Sequence, residues 1–189
     1  VQRSRPGPVQ PPSLYQAALG AGFGLLPRPL QDFHSLSGTH RLAGWVEVGR
    51  PGSLAARCVA WCLRAPRAAK SGALRFELHA RPGSEVWIRH FPGTTMTSRL
   101  TAAPGGVAEH FGPVRLLFAL RAGAEELQMQ LAGVRVLGLP CPRWLLPRIV
   151  ARETASDGRL HFHVQAALPL AGLVASYRGY LDVPAQGSR

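Results

Sequence analysis

The sequence predicts an α+β domain: a strongly curved antiparallel sheet of about eight to ten strands, closing partly like a barrel, with N-terminal helices packed on it. The first ground is the alternation of apolar and polar residues through the second half of the chain. At 159–170, Leu160, Phe162, Val164, Ala166, Leu168 and Leu170 share one side, and Arg159, His161, His163 and Gln165 the other. Such period-two runs mark strands with one buried face. The second ground is the punctuation of the runs by short Gly, Pro or acidic turns, of which Asp157-Gly158 is the strongest hairpin signal.

Each element has its own justification. Residues 1–12 are Pro-rich and polar and predict a disordered tail, followed by a single domain over 13–184 and a flexible C-terminus at 185–189. Ser13 is a suitable N-cap for a helix through Leu14, Tyr15, Ala18 and Leu19, which the glycines at 20–24 stop, and a second helical turn spans 27–34. The Gly-Ala-Gly-Phe-Gly stretch lacks the preceding strand that a dinucleotide-binding loop needs. Residues 41–48 are the first strand. Ser53 then caps a helix over 54–65, ended by Pro66 and apolar nearly all round, which predicts that it fills the concave face of the sheet. From residue 73 the chain is mostly strands. Val134 and Val136 reverse the parity of Leu127, Met129 and Leu131, so a bulge is expected at Gly133. Residues 137–147, stiffened by Pro140, Pro142 and Pro147 around Trp144, form an apolar lid.

Composition narrows the function. Three cysteines among 189 residues leave no fully paired framework and no Cys-x-x-Cys pair, which points to free thiols and a reducing, cytoplasmic compartment. Cys58 and Cys62 are expected to be buried on their helix and Cys141 to be the accessible thiol. No apolar run approaches the roughly 20 residues that cross a bilayer. The formal charge of +12 rests on 21 arginines and the single Lys70. These are dispersed rather than clustered, which disfavours a nucleic-acid footprint and leaves an anionic membrane surface as a partner, with membrane association as a variant of the localisation.

No nucleophile elbow occurs, the adjacent acids Glu125-Glu126 read as a turn, and His161 and His163, although spaced to place two imidazoles on one metal, have no Glu following in the sequence as a further ligand, so no cofactor and no metal are implied and catalysis is not the favoured reading. The candidate function is a non-catalytic binding or accessory module whose apolar concavity holds a lipid-like or amphipathic anionic ligand. Arg57, Arg89, Arg148, Arg178 and Trp144 are candidate ligand contacts. The alternative is an enzyme or enzyme subunit using polar-face groups, with His79, His161, His163 and Glu77 as candidates. A peripheral membrane or structural module is the third class.

Several segments, SLYQAALG at 13–20, VWIRHF at 86–91, EHFGP at 109–113, LGLPCP at 137–142 and SYRG at 176–179, carry a likeness across nearly the whole chain after residue 12. Together they resemble a bacterial family known as domain of unknown function 4166. The resemblance implies no established activity and no site residues. It suggests a reductase-domain partner, because members of that family resemble modules fused behind saccharopine-dehydrogenase-like reductases. Cys141 stands where the family pattern implies an aliphatic residue.

Overall fold

The computed structural model describes residues 11–185. The expected N-terminal tail and flexible C-terminus therefore lie almost wholly outside the described residues. Helix α1 (Leu14–Leu19) opens on Ser13, whose side chain accepts from the Gln16 amide at 3.1 Å while the Gln16 side chain accepts from the Ser13 amide at 2.8 Å. This reciprocal capping satisfies donors that a helix start leaves unpaired. A 3-10 helix (Gly20–Leu25) occupies the glycine-rich stretch, and α2 (Arg28–His34) follows.

The strands are β1 (Gly38–Val48), β2 (Lys70–Arg81), β3 (Ser84–Phe91), β4 (Thr94–Ala103), β5 (Gly106–Phe111), β6 (Val114–Ala122), β7 (Glu126–Val136), β8 (Leu139–Pro140), β9 (Arg148–Ser156), β10 (Arg159–Leu168) and β11 (Gly172–Leu181). Their order is β6-β5-β4-β3-β2-β1-β11-β10-β9-β7-β8, and a β6–β7 pairing joins the two sides. Ten antiparallel strands thus close into a barrel, with β8 added beside β7. The α+β barrel-like architecture agrees with the sequence, and closure is complete rather than partial. Inward positions are mostly apolar, whereas outward ones carry residues such as Arg75, Glu77, Arg99 and Arg178. That is the reverse of the apolar outer band of a lipid-embedded barrel.

Two local features make the closure. Leu117 pairs with Gly133 but Phe118 with Leu131, so Ala132 is the extra residue of a bulge beside the predicted Gly133. At the β1–β11 seam, Gly44 and Gly179 both face inward, and a Cβ on either would collide with a carbonyl oxygen of the facing strand, Tyr180 or Trp45. Only glycine lets the two backbones cross so closely.

The two ends differ. α1 and α2 plug one end, where Leu14, Tyr15, Leu30, Phe33 and His34 are buried. The third helix, α3 (Leu54–Cys62), stands at the other end, and here the sequence expectation is corrected. It does not fill the concave face: only Ala56 and Ala60 are buried, while Leu54 and Trp61 are exposed. A stripe of two alanines brings the helix close to β11 and leaves its bulky side chains outside. Cys58 and Cys62 are consequently exposed, not buried, and Cys141 is intermediate. Leu170 also departs from its assigned strand, since β10 ends at Leu168 and Leu170 lies in the turn with φ 68°. The 137–147 stretch forms β8 and a 3-10 turn (Arg143–Leu145) over the same end as α3.

Candidate ligand-binding site

The barrel interior is not filled. A cavity of about 490 Å³ runs down it, within the roughly 300–1,000 Å³ typical of small-molecule pockets. Its mouth lies between α3, which contributes Cys58, Val59, Cys62 and Leu63, and the lid, which contributes Cys141 and Leu145. All three cysteines of the chain therefore border one opening. The walls come from the inward phase of the strands, among them Leu116 and Phe118 of β6 and Phe162 and Val164 of β10. A polar group sits inside this apolar tube: Arg89, Glu109, Glu153 and Tyr177 also line it.

These polar residues occupy apolar-phase positions of their strands. In β3, Glu85, Trp87, Arg89 and Phe91 all point inward. Arg89 donates to Ser98 Oγ at 3.0 Å and to Glu109 Oε1 at 3.1 Å, and its guanidinium lies 4.9 Å from the Trp87 ring centroid. Burial is the largest single influence and lowers the Arg89 pKa, but the charge and hydrogen bond of Glu109 together with the Tyr177 and Tyr15 phenols outweigh it, and the net shift is upward. The guanidinium fork has donors beyond these two bonds.

A second pair closes the floor. His34 Nε2 lies 2.6 Å from Glu153 Oε2, and the Tyr15 ring rests on the His34 ring at 3.8 Å between centroids. Among the described residues, Tyr15 Oη and His34 Nδ1 are buried without a hydrogen-bond partner. Nearby, Glu85 accepts from the Trp87 indole at 2.8 Å, and burial pushes its pKa up against the opposing effects of His34 and the Trp87 bond.

Burial also raises both inward phenols. Tyr177 is pushed up to about 12, with Arg89 opposing and Glu109 and Glu153 adding, and Tyr15 rises well above 10.0 through burial and the Glu153 charge. A phenol whose folded pKa exceeds its unfolded value stabilises the fold fully below the unfolded pKa, near 10, and loses that contribution as pH rises through the folded pKa. Tyr177 alone should account for on the order of 2–3 kcal/mol. Urea unfolding is therefore expected to show stability falling steeply between pH 10 and about 12, with Tyr177→Phe flattening that fall. A wild-type slope unchanged by the substitution would contradict the buried, cavity-facing placement.

Of the residues singled out from sequence, Arg89 alone lies inside the barrel. Arg57 is exposed on α3, Arg148 is exposed at the start of β9, and Trp144 is 68% exposed on the lid. Arg178 is on the outer wall in an ion pair with Glu47 at 2.8 Å. Glu77 bonds His90 at 3.1 Å, and His79 bonds Thr39 at 3.1 Å, both on the outside of β2. His161 and His163 are on the outside of β10, separated from β2 by β1 and β11. The structure does not bring the four together. Among the described residues, no group of three or more His, Cys, Asp or Glu side chains is placed to hold a metal ion. Tyr15, His34, Glu85, Glu109, Glu153 and Tyr177 were not anticipated, although Tyr15, Arg89, Glu109 and Tyr177 each fall in a segment that carried the family likeness.

A closed, end-plugged antiparallel barrel with an apolar interior and an internal polar cluster defines a class of small barrels able to enclose a single small molecule. The model of the family described as domain of unknown function (DUF4166) matches residues 26–181, and the chain belongs to that family. No curated protein matches it. Among the described residues, no helix is long and apolar enough to cross a membrane.

Proposed function

We propose that the barrel binds one elongated, largely apolar small molecule without transforming it, with the molecule's polar end against Arg89, Glu109 and Tyr177. The observation that carries this is the 490 Å³ cavity, apolar along most of its walls, with the buried charged groups Arg89, Glu109 and Glu153 inside it and the exposed Arg152 also reaching its lining. A volume of this size has room for an acyl chain or a compact polycyclic molecule. Leaving it dry and unfilled forfeits dispersion contacts along the whole lining. An acceptor oxygen on the ligand, as in a carboxylate or carbonyl, suits the remaining Arg89 donors and the neutral Tyr177 hydroxyl. Carboxylate heads remain part of the proposal, as does a reductase partner acting on the cargo.

The test is extraction of freshly purified protein for co-purifying lipids, followed by titration with a fatty acid and the matching fatty alcohol. Val164→Trp is the blocking variant, because Val164 lines the cavity and indole would occupy it. Binding should weaken by at least about tenfold with thermal stability retained, whereas overpacking a solid core costs about 1–3 kcal/mol. If nothing co-purifies, neither probe binds and Val164→Trp destabilises, ligand binding is wrong.

A second reading has one specific observation behind it. Glu153 lines the cavity while held by His34 at 2.6 Å, the arrangement of an oriented acid–base group. Conversion of a bound ligand by wild type, lost in Glu153→Gln with binding retained, would favour an enzyme over a carrier.

A further inference from the structure

We infer that the open end of the barrel is a docking face for an anionic phospholipid bilayer. The charge of this chain is segregated along the barrel axis. The connections at the open end, residues 49–69, 92–93, 112–113, 137–147 and 169–171, contain no Asp or Glu. They carry Arg50, Arg57, Arg64, Arg67 and Arg143, with Lys70 and Arg148 opening the strands that follow, and every one of these is exposed. The acidic residues gather elsewhere. Asp32, Glu125, Glu126, Asp157 and Asp182 are at the plugged end, Glu85, Glu109 and Glu153 are inside, and Glu77 is on the outer wall of β2 beside His90. Glu47, next to the last residue of β1, is engaged by Arg178 at 2.8 Å.

The same end bears most of the large exposed apolar side chains, the plugged end having Leu25. Leu54 and Trp61 on α3, Leu137, Leu139 and Trp144 on the lid, and Leu170 in the β10–β11 turn are 64–94% exposed. They stand on three separate projections around the cavity mouth. A groove beside α3 sets Arg50, Arg57, Arg67 and Lys70 around Leu54 and Trp61, so cations and apolar tips alternate over one surface.

That mixture selects a bilayer as occupant. Tryptophan prefers the headgroup level, arginine reaches phosphates from there along its apolar stem, and leucine tips enter the acyl region. Anionic lipid supplies the matching charge. A rigid protein partner would have to fit three projections and would seal the mouth, whereas a bilayer accommodates each projection and leaves the mouth facing acyl chains. The docking stands on the rim alone and does not require the proposed cargo.

Flotation with vesicles of phosphatidylcholine alone, and of an equimolar phosphatidylcholine–phosphatidylglycerol mixture, tests it. Wild type should float with the mixture only, and less so as salt is raised. Arg57→Gln with Arg143→Gln should weaken this by over tenfold, at about fivefold for each cation removed. Trp61→Ala with Trp144→Ala should weaken it at least about tenfold by removing the interfacial anchors. Arg81→Gln with Arg121→Gln, exposed at the plugged end, should change it little. The cavity-blocked Val164→Trp should float like wild type, which separates failure of docking from failure of cargo binding. Absence of flotation with the mixture overturns the inference. So does equal weakening by the plugged-end pair, which would mean unoriented adsorption. A dimer in lipid-free solution that the two tryptophan substitutions convert to monomer would assign the face to a second copy of the chain and would also overturn it.

Discussion

Glu109→Ala is expected to destabilise the protein by about 3–5 kcal/mol, among the largest effects of any single side-chain truncation here. The side chains of Arg89 and Glu109 are only 9% and 10% exposed, and they meet at 3.1 Å in a largely apolar tube. Removing the carboxyl leaves a guanidinium that cannot deprotonate and cannot reach bulk water, which is far costlier than losing a surface pair. Replacing both partners by apolar residues of similar volume, Arg89→Met with Glu109→Leu, should instead be close to neutral or stabilising. The contrast separates scaffold from function. If the pair only fills space, the double variant binds ligand as wild type does; if it anchors a polar end, the double variant is stable and does not bind. Urea denaturation of the single variant showing a loss under about 1 kcal/mol would mean that the pair is solvated, and the site would need to be redrawn.

The strands were legible in the sequence because burial on one face imposes a period of two that no other element imitates over ten residues. Ser13 and Asp157-Gly158 were legible for local reasons, a cap and a turn with positive φ at both positions. The helix at 54–62 was misjudged because hydropathy records what a side chain tolerates and not what covers it. Two alanines do the packing there, and the larger apolar residues rim an opening. The site was misplaced for a related reason. Histidines on the polar phase of a strand, such as His79, His161 and His163, face outward in any barrel with an apolar interior. The informative residues broke the pattern instead: Glu85 and Arg89 in phase with Trp87 and Phe91, Glu109 with Val107 and Phe111, Glu153 with Ile149 and Ala151. A charge in the buried phase is costly, so its presence signals a partner or a ligand. His34 and Tyr15 carried no comparable signal, since their burial depends on how the helices plug the barrel.

Gly179→Ala is expected to abolish the closed barrel, costing on the order of 4 kcal/mol or more. The added Cβ would overlap the carbonyl of Trp45, and Gly44→Ala would overlap that of Tyr180, so each substitution strikes backbone that no rotamer change can move aside. The strands must separate where β1 meets β11, through a register that spans only Gly44↔Leu181 to Val48↔Tyr177. Opening there exposes the edges of two long strands and drains the cavity into solvent, because Tyr177 and Leu181 of β11 belong to its lining. Gly133→Ala serves as the comparison, since a Cβ there would meet only Leu117 Cδ1 at 3.6 Å, an ordinary contact. Thermal unfolding should therefore find Gly179→Ala largely unfolded or aggregating and Gly133→Ala close to wild type. A folded Gly179→Ala variant that still encloses ligand would show that closure at this seam is not what creates the cavity.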